Sequence, residues 1–234
     1  MYRPCASALA LAAVLLLPHV VLAQGMEKSR SVAGGGISIP GWMGKIDASE
    51  EKNGQVLNNS RLAMDGDALH VTTGPAVAYW NAANVANGNY TVMATFKEPK
   101  YMSLNSHPHP YGIVIGGNDM GTDQQSYLYC AAYGNGNFIV RGFGPAPFQL
   151  NGRGAPSAAV HKAAAVGEPV TQDIAVSVKG DKVECAINGT VVGSFDKSAV
   201  VGTGKLKSTD GVFGVRFSHN TEAMVTGLMM MKDK

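Results

Sequence analysis

Four groups of residues in this 234-residue chain have types and spacings suited to chemistry. In His107-Pro108-His109-Pro110 two imidazoles stand at i and i+2, on one side of an extended segment stiffened by proline. Such a pair can bind a metal or serve as acid and base. A metal would need a third ligand from Asp119, Asp123, His161 or His219, and no spacing selects among them. The plainer reading is a stiff loop with solvated histidines, so no metal and no cofactor are expected. Tyr127, Tyr129, Arg141 and Phe143 form the second group. Aromatic faces on a sheet stack on the C–H faces of sugars, and a guanidinium fork presents planar donors to hydroxyls or carboxylates. The same aromatics would also serve as cross-strand packing. The third group is the polar run from Gly116 to Gln125, whose Asn and Asp oxygens are of the type that binds Ca²⁺, though without EF-hand spacing. The fourth is a Gly/Pro/Ala-rich excursion over 144–171, longer than most loops of compact domains and of the kind used as lids or binding loops. No GxSxG elbow, HExxH motif or P-loop is present.

The elements that must position these groups read as short alternating strands divided by turn residues, the pattern of an all-β sandwich. Tyr90, Val92, Ala94 and Phe96 share one face of a strand, as do Ile174, Val176 and Val178 of another. Asp65-Gly66-Asp67 and Asn188-Gly189 are hairpin signals. Tyr111–Ile115, Val212–Phe217 and Val225–Met231 add further strands, and Ser157–Val166 is the best candidate for a helix. The hairpin joining 126–132 to 138–143 sets the platform. A two-residue Asn135-Gly136 loop would place Cys130 opposite Arg141. A three-residue Gly134-Asn135-Gly136 loop places Cys130 opposite Val140 and Tyr129 opposite Arg141. The second register buries a consistent apolar set, Leu128, Cys130, Ala132, Phe138 and Val140, and is preferred. Tyr127, Tyr129, Arg141 and Phe143 then share the opposite, more accessible face.

Residues 1–23 read as a signal peptide: one cation at Arg3, an apolar run, and Val21-Leu22-Ala23 before Gln24. The run is broken by Pro18-His19 and is too short to span a bilayer, and no later segment is a membrane span. A secreted or periplasmic location is expected. Residues 24–36 read as a flexible leader and 37–234 as one domain. Charged residues are 15% and apolar residues 45%, which argues against disorder. The formal net charge of +2, lowered by one with Arg3, gives no basis for a nucleic-acid partner. Beyond the signal two cysteines remain, Cys130 and Cys185, an even count that permits one disulfide in an oxidising compartment, or two buried thiols.

Several stretches carry a resemblance: Met64–Val71 with Thr72-Thr73-Gly74-Pro75, Gly88–Phe96, Lys179–Val192, Gly211–Phe217 and the closing Val225–Met231 strand. Together they resemble the concanavalin A-like lectin/glucanase superfamily and, more narrowly, secreted laminin-G-like and 3-keto-disaccharide hydrolase-like domains. The resemblance implies a jelly-roll sandwich of two antiparallel sheets, in a group that includes sugar-binding modules, glycan hydrolases and adhesive domains. Ser106–Gly112 stands where the hydrolase-like domains carry Gly-Asn-Ser-Gly, so no catalytic residue is transferred. The expected function is glycan or carbohydrate binding on the concave sheet, centred on Tyr127, Tyr129, Arg141 and Phe143, with His107 and His109 at the rim. One alternative is a hydrolase or lyase acting on a modified sugar, with a histidine as base and a carboxylate such as Asp119 as partner. The other is a structural or adhesive envelope domain, its platform plugged by Phe148 and its neighbours. Oligomeric state is left open.

Overall fold

The computed structural model describes residues 27–152 and 154–233; the expected signal peptide, 1–23, lies outside the described residues. In chain order the elements are β1 (Gly36–Ile37), β2 (Trp42–Ile46), α1 (Ala48–Lys52), β3 (Arg61–Asp65), β4 (Ala68–Thr72), β5 (Val77–Ala86) and β6 (Tyr90–Glu98). They continue with β7 (Tyr111–Asn118), β8 (Ser126–Ala132), β9 (Asn137–Phe143), β10 (Phe148–Gln149), β11 (Ala155–Pro156) and β12 (Val170–Lys179). The last are β13 (Lys182–Ile187), β14 (Thr190–Asp196), α2 (Lys197–Val200), β15 (Gly211–Phe217) and β16 (Glu222–Lys232). One sheet has the order β1-β3-β4-β16-β6-β12-β13-β14. The other runs β10-β9-β8-β7-β15-β5-β2, with β11 also on β9. Apart from the short parallel pair β1–β3, the pairings are antiparallel. The architecture is the expected all-β, two-sheet sandwich.

Period-two alternation builds the core. Tyr90, Val92, Ala94 and Phe96 of β6, with Ile174, Val176 and Val178 of β12, face Tyr111, Ile113 and Ile115 of β7 and Leu128, Cys130 and Ala132 of β8. Phe96 stacks on Tyr111 at 5.7 Å and meets Phe217 at 6.1 Å between ring centroids. Cys130 on β8 and Cys185 on β13 are bonded across the two sheets, with Cα atoms 5.9 Å apart. A crosslink spanning 55 residues removes about 4 kcal/mol of unfolded-chain entropy in the loop-closure model. At Asn188-Gly189 both residues have positive φ, 49° and 78°, the tight turn that matches strand twist.

The β8–β9 hairpin has the three-residue loop: Cys130 pairs with Val140, Ala132 with Phe138 and Tyr129 with Arg141. Two expectations need correction. Ser157–Val166 forms turns and not a helix. Its backbone groups are claimed by distant partners: the Ala163 N–H donates to the Gly134 carbonyl, the His161 N–H to Gln172 Oε1, and the Ala159 carbonyl accepts from Asn188 Nδ2. The excursion over 144–171 lays β10 and β11 on the free edge of β9, with the Asn151 amide bridging between them to Val140 N–H and the Phe138 carbonyl. The described part of the expected flexible leader is seated on the domain. The Arg30 N–H donates to Asn220 Oδ1, Asn220 Nδ2 to the Lys28 carbonyl, and the Val32 N–H to the Asn59 carbonyl.

Glu98 closes β6 at only 4% exposure, with Oε1 accepting the Met102 N–H at 3.1 Å. Burial pushes its carboxyl up to about 7, against the Met102 hydrogen bond. The folded state therefore prefers the protonated acid. That stabilisation is complete below the unfolded value near pH 4.5 and is lost as pH rises through 7. Urea unfolding of wild type and Glu98→Gln between pH 5 and 8 is expected to show wild type losing up to about 3 kcal/mol relative to the variant.

Candidate functional site

The two sheets differ on their outward faces. In the first, β12 and β13 alternate buried and exposed residues, so the outer face meets water. In the second, β7 and β8 are buried on both faces almost throughout. A strand buried on both sides means that something covers the outer face. The covered layer consists of Ala78, Val114, Tyr127, Tyr129, Ala131 and Ile139, with Met120, Tyr133 and Phe143 packed against it.

Strand parity puts Tyr127, Tyr129, Arg141 and Phe143 on this face together, but not as an accessible platform. Tyr127 is 1% and Tyr129 5% exposed. Phe143 lies against both rings, at 5.1 and 6.1 Å. Two guanidinium groups complete the layer: Arg141 over Phe143 at 5.0 Å, and Arg216 of β15 over Tyr129 and Phe143 at 5.8 and 5.5 Å. Burial opposes the charge on Arg216, but Asp47, whose Oδ2 accepts from Nη2 at 2.6 Å, together with the adjacent Tyr127 and Tyr129 hydroxyls keeps the group cationic. Burial likewise raises the Tyr127 and Tyr129 hydroxyls, which remain neutral. The ring faces are thus spent on one another and on guanidiniums. Phe148, the plug that the adhesive alternative requires, instead packs over Gly142 toward the inner core.

Two cavities open beside this layer. One, of about 450 Å³, is lined by Tyr129, Ile139, Arg141, Arg216, Asp47 and Glu50, and by His107, His109 and His219. The other, of about 870 Å³, lies between Arg141 and Phe143, the α1 segment, and Gly144, Pro145 and Pro147 at the base of the long loop. Arg141 forms part of the wall of both. Among the described residues, Nη1 of Arg216 and Nε of Arg141 are buried without a hydrogen-bond partner. Among the described residues Arg141 makes no ion pair, while Arg216 has Asp47.

His107 and His109 do approach each other, with Nε2 atoms 2.9 Å apart and rings edge to face at 4.3 Å. The third imidazole is His219, from the turn between β15 and β16, stacked on His109 at 4.2 Å. One ring nitrogen from each lies within 4.8 Å of the others. The His219 carbonyl can only accept, so the His109 Nδ1 at 2.5 Å carries the proton and its Nε2 presents a lone pair. Burial and the His219 ring lower His109 to about 4 against that hydrogen bond, and burial lowers His219 as well, so both are neutral at pH 7. Glu27 Oε2 accepts from the Ser106 N–H and hydroxyl at 3.1 Å each and lies 3.5 Å from His107 Nδ1. Burial alone would raise Glu27, but these donors and the imidazoles hold it below its ordinary value. Ser29 Oγ donates to Glu50 Oε2 at 2.7 Å and stands 3.4 Å from His219 Nδ1.

The other sequence candidates lie elsewhere. Asp119 pairs with Lys207, Asp123 Oδ1 is 3.5 Å from Lys45 Nζ, and His161 Nδ1 donates to the Thr171 carbonyl. Asp119 and Asp123 of the Gly116–Gln125 loop therefore face lysines, and Asp119 is no partner to the histidines. Sequence reasoning missed Arg216, Asp47, Glu27, Ser29 and Glu50. Only Arg216 had a local signal: a cation inside the apolar run Val212–Phe217, with parity opposite to the core residues Phe213, Val215 and Phe217.

No family model matches the chain, and no curated protein matches it. Among solved structures it is similar to the carbohydrate-binding module CBM66 from Bacillus subtilis, with a TM-score of 0.54 and 8% identity over 84% of this chain and 99% of that one. It is also similar to a galectin-like-fold protein of unknown function from Bacillus subtilis, with a TM-score of 0.47 and 12% identity over 82% and 89% of the two chains. Sheep galectin-11 gives 0.40 and 11% over 63% and 92%. The first of these likenesses shows the fold, a two-sheet β-sandwich.

Removing Asp47 strands a buried guanidinium on the sheet. Asp47→Ala is expected to lower unfolding stability by about 3 kcal/mol, and Arg216→Met in the same chain to restore most of it. Chemical denaturation of the two single variants and the double variant checks the coupling; additive losses would count against it.

Proposed function

We propose that the protein binds a carbohydrate that bears a carboxylate, in the cavities over the outer face of the second sheet. The observation that carries this reading is Arg141: it stands in the wall between two cavities with no acid partner among the described residues, next to the neutral Tyr129 and the charge-compensated Arg216. A guanidinium fork matches a carboxylate with two parallel hydrogen bonds, and the lining hydroxyl, imidazole and carboxylate groups suit sugar hydroxyls. A sugar would enter edge-on among polar groups and would not lie flat on Tyr127, which is covered. The fold neighbour described as a carbohydrate-binding module agrees with this ligand class. Export by residues 1–23 belongs to the same proposal and would place the site where extracellular saccharides are met.

A second reading is catalysis on such a sugar by a hydrolase or lyase. It is favoured by the convergence of His107 and His109, 2.9 Å apart, with Glu27 behind them and Asp47 and Glu50 in the same cavity. The unprotonated Nε2 of His109 accepts from His107 Nε2 in this arrangement and is the nitrogen that would take a substrate proton once that contact opens. The narrower resemblance to 3-keto-disaccharide hydrolase-like domains supplies a substrate class for it.

Titration calorimetry with oligogalacturonate and with a neutral galactose oligosaccharide tests the first reading. Wild type is expected to prefer the acidic ligand, and Arg141→Gln to weaken its binding at least about tenfold, with little effect on the neutral one. Equal affinities for both ligands, or unchanged acidic binding in the variant, would overturn it. Release of new reducing ends or of an unsaturated sugar, abolished in His109→Gln, would establish the second reading.

A further inference from the structure

We infer that His107, His109 and His219 form a three-imidazole centre for a divalent transition metal, its open coordination side turned to the 450 Å³ cavity. The ligand class follows from the donors. Three ring nitrogens gather within 4.8 Å of one another, and Cys130 and Cys185 are bonded to each other, so the set among the described residues is imidazole alone. Imidazole suits zinc, copper and nickel, whereas calcium and magnesium require oxygen.

Each ring is also held from behind. His109 donates from Nδ1 to the His219 carbonyl. His107 Nδ1 lies 3.5 Å from Glu27 Oε2 and 3.4 Å from Ser106 Oγ, and His219 Nδ1 lies 3.4 Å from Ser29 Oγ, itself bonded to Glu50. An outer partner on one nitrogen, leaving the other for the metal, is the arrangement that orients ligating histidines and raises their basicity. It is repeated three times here, from segments as far apart as residues 27 and 219.

The spacing fits as well. Two nitrogens bound to one tetrahedral metal at ordinary bond lengths stand about 3.3 Å apart. The His107 and His109 Nε2 atoms stand at 2.9 Å, a contact that without an ion requires one nitrogen to donate to the other. His107, with 57% of its side chain exposed, is free to swing outward by the small amount required. The backbone beneath the other two rings is fixed. Pro108 and Pro110 flank His109, and the Ser218 N–H donates to the Pro110 carbonyl, joining the two histidine segments. Thr73 Oγ1 donates to the Ser218 carbonyl and accepts the Thr221 N–H, bracketing His219. Three protein ligands and one side facing a cavity is the pattern of a metal that receives an exogenous ligand, in contrast to a closed structural site. The inference rests on the imidazoles and not on saccharide binding.

The test is calorimetric titration of chelator-treated protein with Zn²⁺ and, separately, Cu²⁺, Ca²⁺ and Mg²⁺, together with the visible spectrum of the Co²⁺ adduct. One equivalent of Zn²⁺ is expected to bind, with Cu²⁺ tighter, and the Co²⁺ bands to be those of a nitrogen-ligated, four- or five-coordinate ion. His107→Ala, an exposed position that leaves the packing intact, and His219→Ala should each weaken Zn²⁺ about 100-fold or more, while His161→Ala leaves it unchanged. Arg141→Gln should keep full Zn²⁺ affinity while losing the acidic saccharide, so the two proposals fail separately. No saturable Zn²⁺ or Cu²⁺ site below millimolar concentration in wild type would overturn the inference. So would a site that survives in the His107→Ala/His219→Ala double variant, or Ca²⁺ binding of equal strength.

Discussion

A guanidinium set in the middle of a sheet face cannot remain both dry and unpaired. Arg216 projects from β15, a strand flanked on both sides by hydrogen-bonded neighbours, and is 5% exposed. Its charge is met by Asp47, the residue between β2 and α1, so the ion pair draws the start of α1 over the sheet. That crossing sets the α1 segment across the cavities over this face. Tyr127, Tyr129 and Phe143 pack on one another on that face, and the gaps around α1, the loop base at Gly144–Pro147 and the histidine segments become the two cavities. Architecture and candidate site therefore share one electrostatic constraint.

The same layer explains why aromatic residues here do not make a sugar-stacking platform. A ring facing outward on a half-solvated sheet would be available to a ligand, but these rings meet one another at 5–6 Å and carry two cations across their faces. Stacking and cation–π contacts use the surfaces a sugar would need. What remains for recognition is polar: donor nitrogens, imidazoles and the carboxylates of Asp47 and Glu50. The site is best understood as a polar pocket with an aromatic floor.

Much of the fold was legible along the chain. The Gly134-Asn135-Gly136 loop set Cys130 against Val140 and Tyr129 against Arg141, because alternation admits only one register that buries the apolar set. The segment Ser126–Ala132 is a strand from end to end. Other parts were misleading for identifiable reasons. The alanine-rich Ser157–Val166 favours helix locally, yet Gln172, Gly134 and Asn188 take its backbone groups. Gly and Ser in residues 24–36 suggest a loose leader, while Asn220 and Asn59 hold the part from Lys28 to Val32.

Strand periodicity, turn chemistry and the pairing face of each strand are properties of neighbouring residues, and the sequence alone determined them: an all-β sandwich with Tyr127, Tyr129, Arg141 and Phe143 on one side of one sheet. Where the α1 segment crosses that face was decided by a contact between residues 169 positions apart, Asp47 and Arg216. The choice of His219 over Asp119, Asp123 and His161 was likewise made across 110 residues, when the turn after β15 closed on the Pro110 segment. No local period encodes such encounters; they follow from sheet order and from where the chain must cross to neutralise a buried charge.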